Sequence, residues 1–175
     1  MKTRKRNNCK SKNKTRKKRY RKAICVLHEN ESKIKGHIVF LQKSGEKKVK
    51  ISYKIYGLDD GLHGFHVHQY GDLTDGCNSS CAHFNPYKEH HGGPKSRHRH
   101  VGDLGNLRSK NNIASGSFYD NKITLDTKQI NSIIGRCIVV HDKEDDLGKG
   151  GDDESLKTGN AGKRLACGVI GISSY

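Results

Sequence analysis

The chain has 175 residues with 34 Lys and Arg against 18 Asp and Glu, and thirteen of those bases, with no acid among them, fall in residues 1–22. Its length suits one domain, with ample chain beyond the basic segment for a single core. No stretch is long and apolar enough for a membrane span or a signal h-region, so the expectation is a non-secreted protein, cytoplasmic with nuclear access through the basic segment. Residues 1–22 combine low hydrophobicity with self-repulsion and are expected to be a disordered tail, free for non-specific contact with nucleic acid or another polyanion. The remaining 21 bases and 18 acids make the body, residues 23–175, only mildly basic. Its apolar residues alternate rather than repeat at helical spacing, as in Val49-Lys50-Ile51-Ser52-Tyr53-Lys54-Ile55. Strands are therefore predicted over 23–28, 34–42 and 49–56, with a turn at Lys43-Ser44-Gly45-Glu46. Further strands are predicted over 62–69, 103–109, 113–119, 136–141 and 164–172. Eight strands with two long loops predict an all-β Greek-key sandwich or barrel of immunoglobulin-like architecture.

The middle of the chain carries chemistry. If residues 62–69 are extended, His66 and His68 project from one face and can meet one ion. His83, His91, His100 and Asp103 lie on a Gly- and Pro-rich stretch able to wrap a cation, and His141 ends a buried strand. Six histidines and one aspartate exceed one tetrahedral site but suffice for two if one imidazole is shared. Imidazole suits copper and zinc, and a carboxylate adds a harder donor. His28, His37, His90 and His98 read as ordinary surface or core histidines.

The segments Gly61-Leu62-His63-Gly64-Phe65-His66-Val67-His68, His100-Val101-Gly102-Asp103-Leu104-Gly105-Asn106 and Gly159-Asn160-Ala161-Gly162-Lys163-Arg164-Leu165-Ala166-Cys167-Gly168 closely resemble the copper-zinc superoxide dismutases. The resemblance spans residues 23–172. It implies one copper per subunit on His66, His68, His83 and His141, and one zinc on His83, His91, His100 and Asp103, with His83 as bridge and proton carrier. It implies that Arg164 guides superoxide, that Asp153, Glu154, Lys157 and Thr158 form the channel rim, and that His63 supports the copper side. Asp145 is the implied carboxylate joining His66 to His91, the other acids of that loop being solvated. Lys163 stands where many relatives carry a small residue and reads as a solvated charge.

The resemblance also implies a Cys77–Cys167 disulfide, although cysteine count alone favours free thiols inside cells. Closing a loop of about ninety residues stabilises by about 2–4 kcal/mol through the unfolded state. Cys81 lies near enough in sequence to compete for Cys167, and Cys25 and Cys137 read as buried thiols. The family's contact segments match Tyr70-Gly71, Ile134-Gly135 and Val169-Ile170-Gly171-Ile172, which implies a homodimer. A copper chaperone is the implied loading partner. Two other functions fit parts of the chain. A metal-handling role would call for a Cys-x-x-Cys pair, which Cys77 and Cys81, with three residues between them, do not form. A polyanion-binding protein would use the barrel as a scaffold for the tail.

Overall fold

The structure, a computed structural model, describes residues 19–27 and 33–174. Most of the expected tail, residues 1–18, and His28 lie outside the described residues. Eight strands form in chain order: β1 (Tyr20–Leu27), β2 (Lys35–Lys43), β3 (Val49–Tyr56), β4 (Gly61–His68), β5 (Asp103–Lys110), β6 (Ile113–Asp120), β7 (Cys137–His141) and β8 (Arg164–Ile172). They close into an antiparallel barrel in the order β1-β2-β3-β6-β5-β4-β7-β8, with β1 also pairing β8. Closure leaves no free edge strand, although β5–β6 and β1–β8 join over only two and three pairs. Alternation sends Phe40, Ile51, Ile55, Phe65, Leu107 and Ile138 inward to one core, each fully or almost fully buried.

β1 begins at Tyr20, three residues before the sequence-based start. Tyr20, Arg21 and Lys22 pair with Lys43, Gln42 and Leu41, the Ser44 N–H donates to the Arg19 carbonyl at 2.8 Å, and Arg21 meets Asp126 at 3.2 Å. Backbone pairing along a long β2 extends the strand where side-chain hydrophobicity gives no signal. The turn after β2 forms as expected, with the Glu46 N–H donating to the Lys43 carbonyl at 3.0 Å.

The two halves of the barrel differ in regularity. β1–β2, β2–β3 and β3–β6 each run through eight consecutive pairs. β4–β5 and β7–β8 shift register, at Gly64/His66 and at Val140/His141, and such bulges re-aim side chains. The long connections 69–102 and 142–163 lie on this irregular half. They contain a 3₁₀ turn at Asn78–Ser80 and a one-turn helix, α1 (Ser155–Thr158). Among the described residues no helix is long and apolar enough to cross a membrane.

Candidate metal centre

β4 is buried on both faces from His63 to His68. Phe65 and Val67 join the core, while His66 and His68 point the other way, beneath the long connections. Gly64 lies at the register shift just before His66, where a side chain would lie 2.7 Å from the Ala161 Cβ and 3.1 Å from the His66 ring. His141 closes β7 beside the second bulge. His83, His91 and His100 come from the irregular connection, and Asp103 opens β5.

Two groups of side chains converge. One ligand atom from each of His66, His68, His83 and His141 lies within 4.8 Å of the others, and the same holds for His83, His91, His100 and Asp103. His83 belongs to both. In the second group the Nδ1 atoms of His83, His91 and His100 stand 2.9, 3.0 and 3.1 Å from one oxygen, Asp103 Oδ1. Four donors about 2.0 Å from a tetrahedral zinc are spaced about 3.3 Å from each other, so this cluster is close to the size of such an ion's shell. The other oxygen, Asp103 Oδ2, accepts from the backbone N–H groups of Gly92 (3.1 Å) and His100 (2.8 Å), which turns Oδ1 toward the imidazoles.

The nitrogens of the first group are sorted by their acceptors. His68 Nδ1 contacts the Cys81 carbonyl (2.7 Å), His141 Nδ1 the Gly162 carbonyl (3.2 Å), and His66 Nε2 Asp145 Oδ2 (2.8 Å). An N–H donated in each case leaves the opposite nitrogen unprotonated and facing inward. His68 Nε2 and His141 Nε2 are 3.4 Å apart. His66 Nδ1 and His83 Nε2 are buried without a hydrogen-bond partner. Such orphaned atoms are costly unless something accepts their lone pairs, and a cation does.

Electrostatics agrees with this arrangement. Burial, followed by repulsion from His83, holds His66 and His68 well below the ordinary histidine range and His141 at about 4, so all three are neutral donors near pH 7. His83 is lowered, mainly by burial. His91 moves oppositely: burial lowers it, but hydrogen bonds to Asp103 and Asp145 prevail and raise it to about 9. Burial works against the Asp103 and Asp145 charges, yet the surrounding imidazoles keep both carboxyls far below their usual range.

Asp145 lies between the groups, Oδ2 on His66 Nε2 and Oδ1 on His91 Nε2, both at 2.8 Å. Its backbone is held by a reciprocal amide pair: its N–H donates to Asn106 Oδ1 and its carbonyl accepts from Asn106 Nδ2, each at 2.8 Å. Gly159 passes so close that a Cβ would sit 2.0 Å from Asp145 Oδ1. His63 contacts the His141 carbonyl through Nδ1 and the Asp59 carbonyl through Nε2, both at 2.9 Å, so it braces the backbone of the His141 strand end.

Arg164 opens β8 and is clamped rather than free. Its Nη1 donates to the Cys77 carbonyl (2.6 Å), and its Nη2 to the Cys81 carbonyl (2.7 Å). Cys77 and Cys167 are joined by a disulfide across 90 residues, with Cα atoms 5.7 Å apart, tying this loop to the strand that carries Arg164. Cys81 is a free, exposed thiol held at φ 64°, ψ −148°. Cys25 and Cys137 are free and buried, and burial raises Cys137 to about 11. A cleft of about 790 Å³ opens over His68, His83 and His141, rimmed by Arg164, Glu154 and Lys157. Thr158 also lines it, its hydroxyl donating to Glu154 Oε1 at 2.7 Å. Asp153 is exposed and does not line this cleft, because the turn into α1 points it outward.

Sequence reasoning left three supporting residues without a role. Arg99, 1% exposed, pairs with buried Asp120 and donates through Nη1 to the Asp103 carbonyl at 2.8 Å, bracing that end of β5. Asn106 holds Asp145. Asp146, expected to be solvated, instead accepts from Ser155 Oγ, Asn160 Nδ2 and the Gly148 N–H at 2.8–2.9 Å, closing the connection before α1. A charged residue next to a histidine, as Arg99 is to His100, was the only local signal, and Asp120 and Asp145, which Arg99 and Asn106 hold, lie 21 and 39 residues away. His37 and His98 are exposed as expected, His98 meeting Glu89 at 2.9 Å.

A closed Greek-key barrel with two histidine groups sharing one imidazole has the makings of a metal-binding protein. The sequence profile of the copper/zinc superoxide dismutase (SODC) family matches residues 34–170. The chain is 56% identical to copper-zinc superoxide dismutase A of Xenopus laevis over 151 residues, covering 86% of this chain and 97% of that protein. It is 59% identical to the copper-zinc superoxide dismutase of Paramecium bursaria Chlorella virus 1 over 153 residues, covering 86% and 78% respectively. A crystal structure titled for the clock protein EA4 superposes with a TM-score of 0.81 at 47% identity, covering 87% of this chain and 94% of that one. The chain belongs to the copper/zinc superoxide dismutase family and is by that membership an oxidoreductase that binds metal.

Proposed function

We propose that the protein disproportionates superoxide into oxygen and hydrogen peroxide, with copper held by His66, His68, His83 and His141 and zinc by His83, His91, His100 and Asp103. The observation that carries this reading is His83, whose two ring nitrogens face the two ligand groups. When bound, copper supplies the one-electron oxidation and reduction that superoxide needs, and zinc supplies a fixed charge. The remaining work falls to the chain's own residues. Arg164, fixed by the Cys77 and Cys81 carbonyls, holds the anion at the cleft floor with a guanidinium that needs no reorganisation. Lys157 on the rim attracts it, and Glu154 restrains Thr158 at the entrance. His83 Nε2 takes up a proton and passes it to the reduced oxygen. Asp145 keeps the His66 and His91 rings oriented throughout.

The wider setting belongs to the same reading. A two-fold homodimer is supported by apolar side chains left in the open on the expected contact segments, Tyr70 (51% exposed), Val169 (38%) and Ile172 (78%). Copper delivery by a chaperone, residence in the cytoplasm with access to the nucleus, and a separate basic tail before a barrel domain complete it. Elemental analysis and a superoxide assay on one sample test the core claim. One copper and one zinc per chain, with activity abolished by His141→Ala, is the expected result. Full metal loading without activity would overturn the dismutase reading in favour of metal handling.

A further inference from the structure

The outward positions of β1, β2, β3 and β6 form one continuous wall of the barrel. None of them is Asp or Glu, and they carry Lys22, Lys35, Lys43, Lys50 and Lys54. Registers align these into rows: Lys22 opposite Leu41, Leu41 opposite Lys50, and Lys50 opposite Tyr119, with His37, Lys54 and Ser115 in a parallel row. Lys43 pairs with Glu46 of the adjoining turn, whereas Lys22, Lys50 and Lys54 form no ion pair with a described carboxylate. Strand spacing sets Lys22 and Lys50 about 10 Å apart, and strand rise sets Lys50 and Lys54 about 13 Å apart. The ladders beneath are the most regular in the molecule, so these cations stand on a rigid support. The opposite pole is acidic, since residues 142–163 beside the metal cleft hold seven Asp or Glu against four Lys.

We propose that this wall binds nucleic acid through its phosphate backbone, with Tyr119 stacking against a base. The side chains between the lysines favour that partner over a lipid surface. Leu41 and Val39, between the lysines, are half-buried, and Tyr119, at 65% exposure, is the most open ring or aliphatic side chain of the rows. Lysines interleaved with an exposed ring are what a single strand, with its regular charge and stackable bases, engages. Lys54 already lies 5.4 Å over the Tyr56 ring, which keeps its charge close to the wall. A strand bound here leaves the metal cleft open, so the inference stands apart from the dismutase reading.

The test uses the full chain and fluorescence anisotropy with labelled single-stranded DNA of about 20 nucleotides across a salt series. The triple variant Lys22→Gln/Lys50→Gln/Lys54→Gln should bind about tenfold or more weakly, and the slope of log K against log salt should shrink by about 2. Tyr119→Ala should weaken single-strand binding about fivefold or more. A control with exposed lysines off the wall, Lys95→Gln/Lys128→Gln/Lys149→Gln, should bind within about twofold of the parent. Unchanged melting and dismutase activity in the wall variant show that it is folded. Equal slopes for parent and wall variant, or equal losses in both triples, would overturn the wall as the site. Displacement of the DNA by phosphatidylserine vesicles at equal phosphate would overturn nucleic acid as the partner.

Discussion

The β1-β2-β3-β6 half and the half that carries the histidines solve different problems with the same backbone. The first is three uninterrupted ladders over an apolar interior, and its cohesion is burial. The second is built from bulged strands and two long connections, held by a disulfide, a buried carboxylate between two imidazoles, and amide pairs. Polar networks of this kind hold geometry firmly when every member is satisfied and fail together when one is lost. The regular half should therefore decide whether the chain folds, and the other half whether it works.

The largest expected effect tests the first part of that division. Phe40→Ala, fully inside the regular half, should cost about 3–5 kcal/mol of stability in denaturant titrations while activity per folded, metal-loaded chain stays unchanged. A comparable loss of specific activity would show that the halves are not separable. Cys167→Ser should cost about 2–5 kcal/mol and, unlike Phe40→Ala, should also lower activity, because the loop carrying the carbonyls that clamp Arg164 loses its tie to β8. Asp145→Asn should weaken metal retention about 10- to 100-fold in chelator competition and, because the metals stabilise the folded state that holds them, lower the stability of the loaded protein by about 1–3 kcal/mol.

The smallest effect is one of pH. In the metal-free chain His91 is raised to about 9, so the stability it contributes is complete below its ordinary value of 6.5 and fades as pH rises from there through 9. Zinc held as proposed on His91 would displace that proton from Nδ1, so zinc affinity should climb about tenfold per pH unit toward 9, opposite in direction to metal-free stability. The other histidine donors with lowered values add no further proton. A zinc titration showing no pH dependence between 7 and 9 would place the His91 proton elsewhere.

Much of this was legible from residues alone, for identifiable reasons. Alternation over Val49–Tyr56 marks a strand because side-chain direction repeats every two residues, and the later strands follow the same rule. β1 was read three residues short because Tyr20–Lys22 belongs to a charge run, and only its partners on β2 reveal the pairing. α1 is four residues long, too short for any period to register. The histidines that converge were visible as a spaced set. Arg99 and Asn106 were not assigned roles, since their value depends on Asp120 and Asp145, 21 and 39 residues further along the chain. Asp146 misled for a related reason: in a run of acids nothing local distinguishes a solvated carboxylate from one that fastens a loop.

Cys81 offers an opening for protein engineering. Its backbone sits where only glycine rests without penalty, and holding a β-carbon there costs about 1–3 kcal/mol. What the neighbouring side chains use is its carbonyl, which accepts from both His68 and Arg164. Glycine at this position would keep that carbonyl and release the conformational penalty. It would also remove an oxidisable sulfur from the rim of a cleft where peroxide is made, so Cys81→Gly is a route to a longer-lived catalyst.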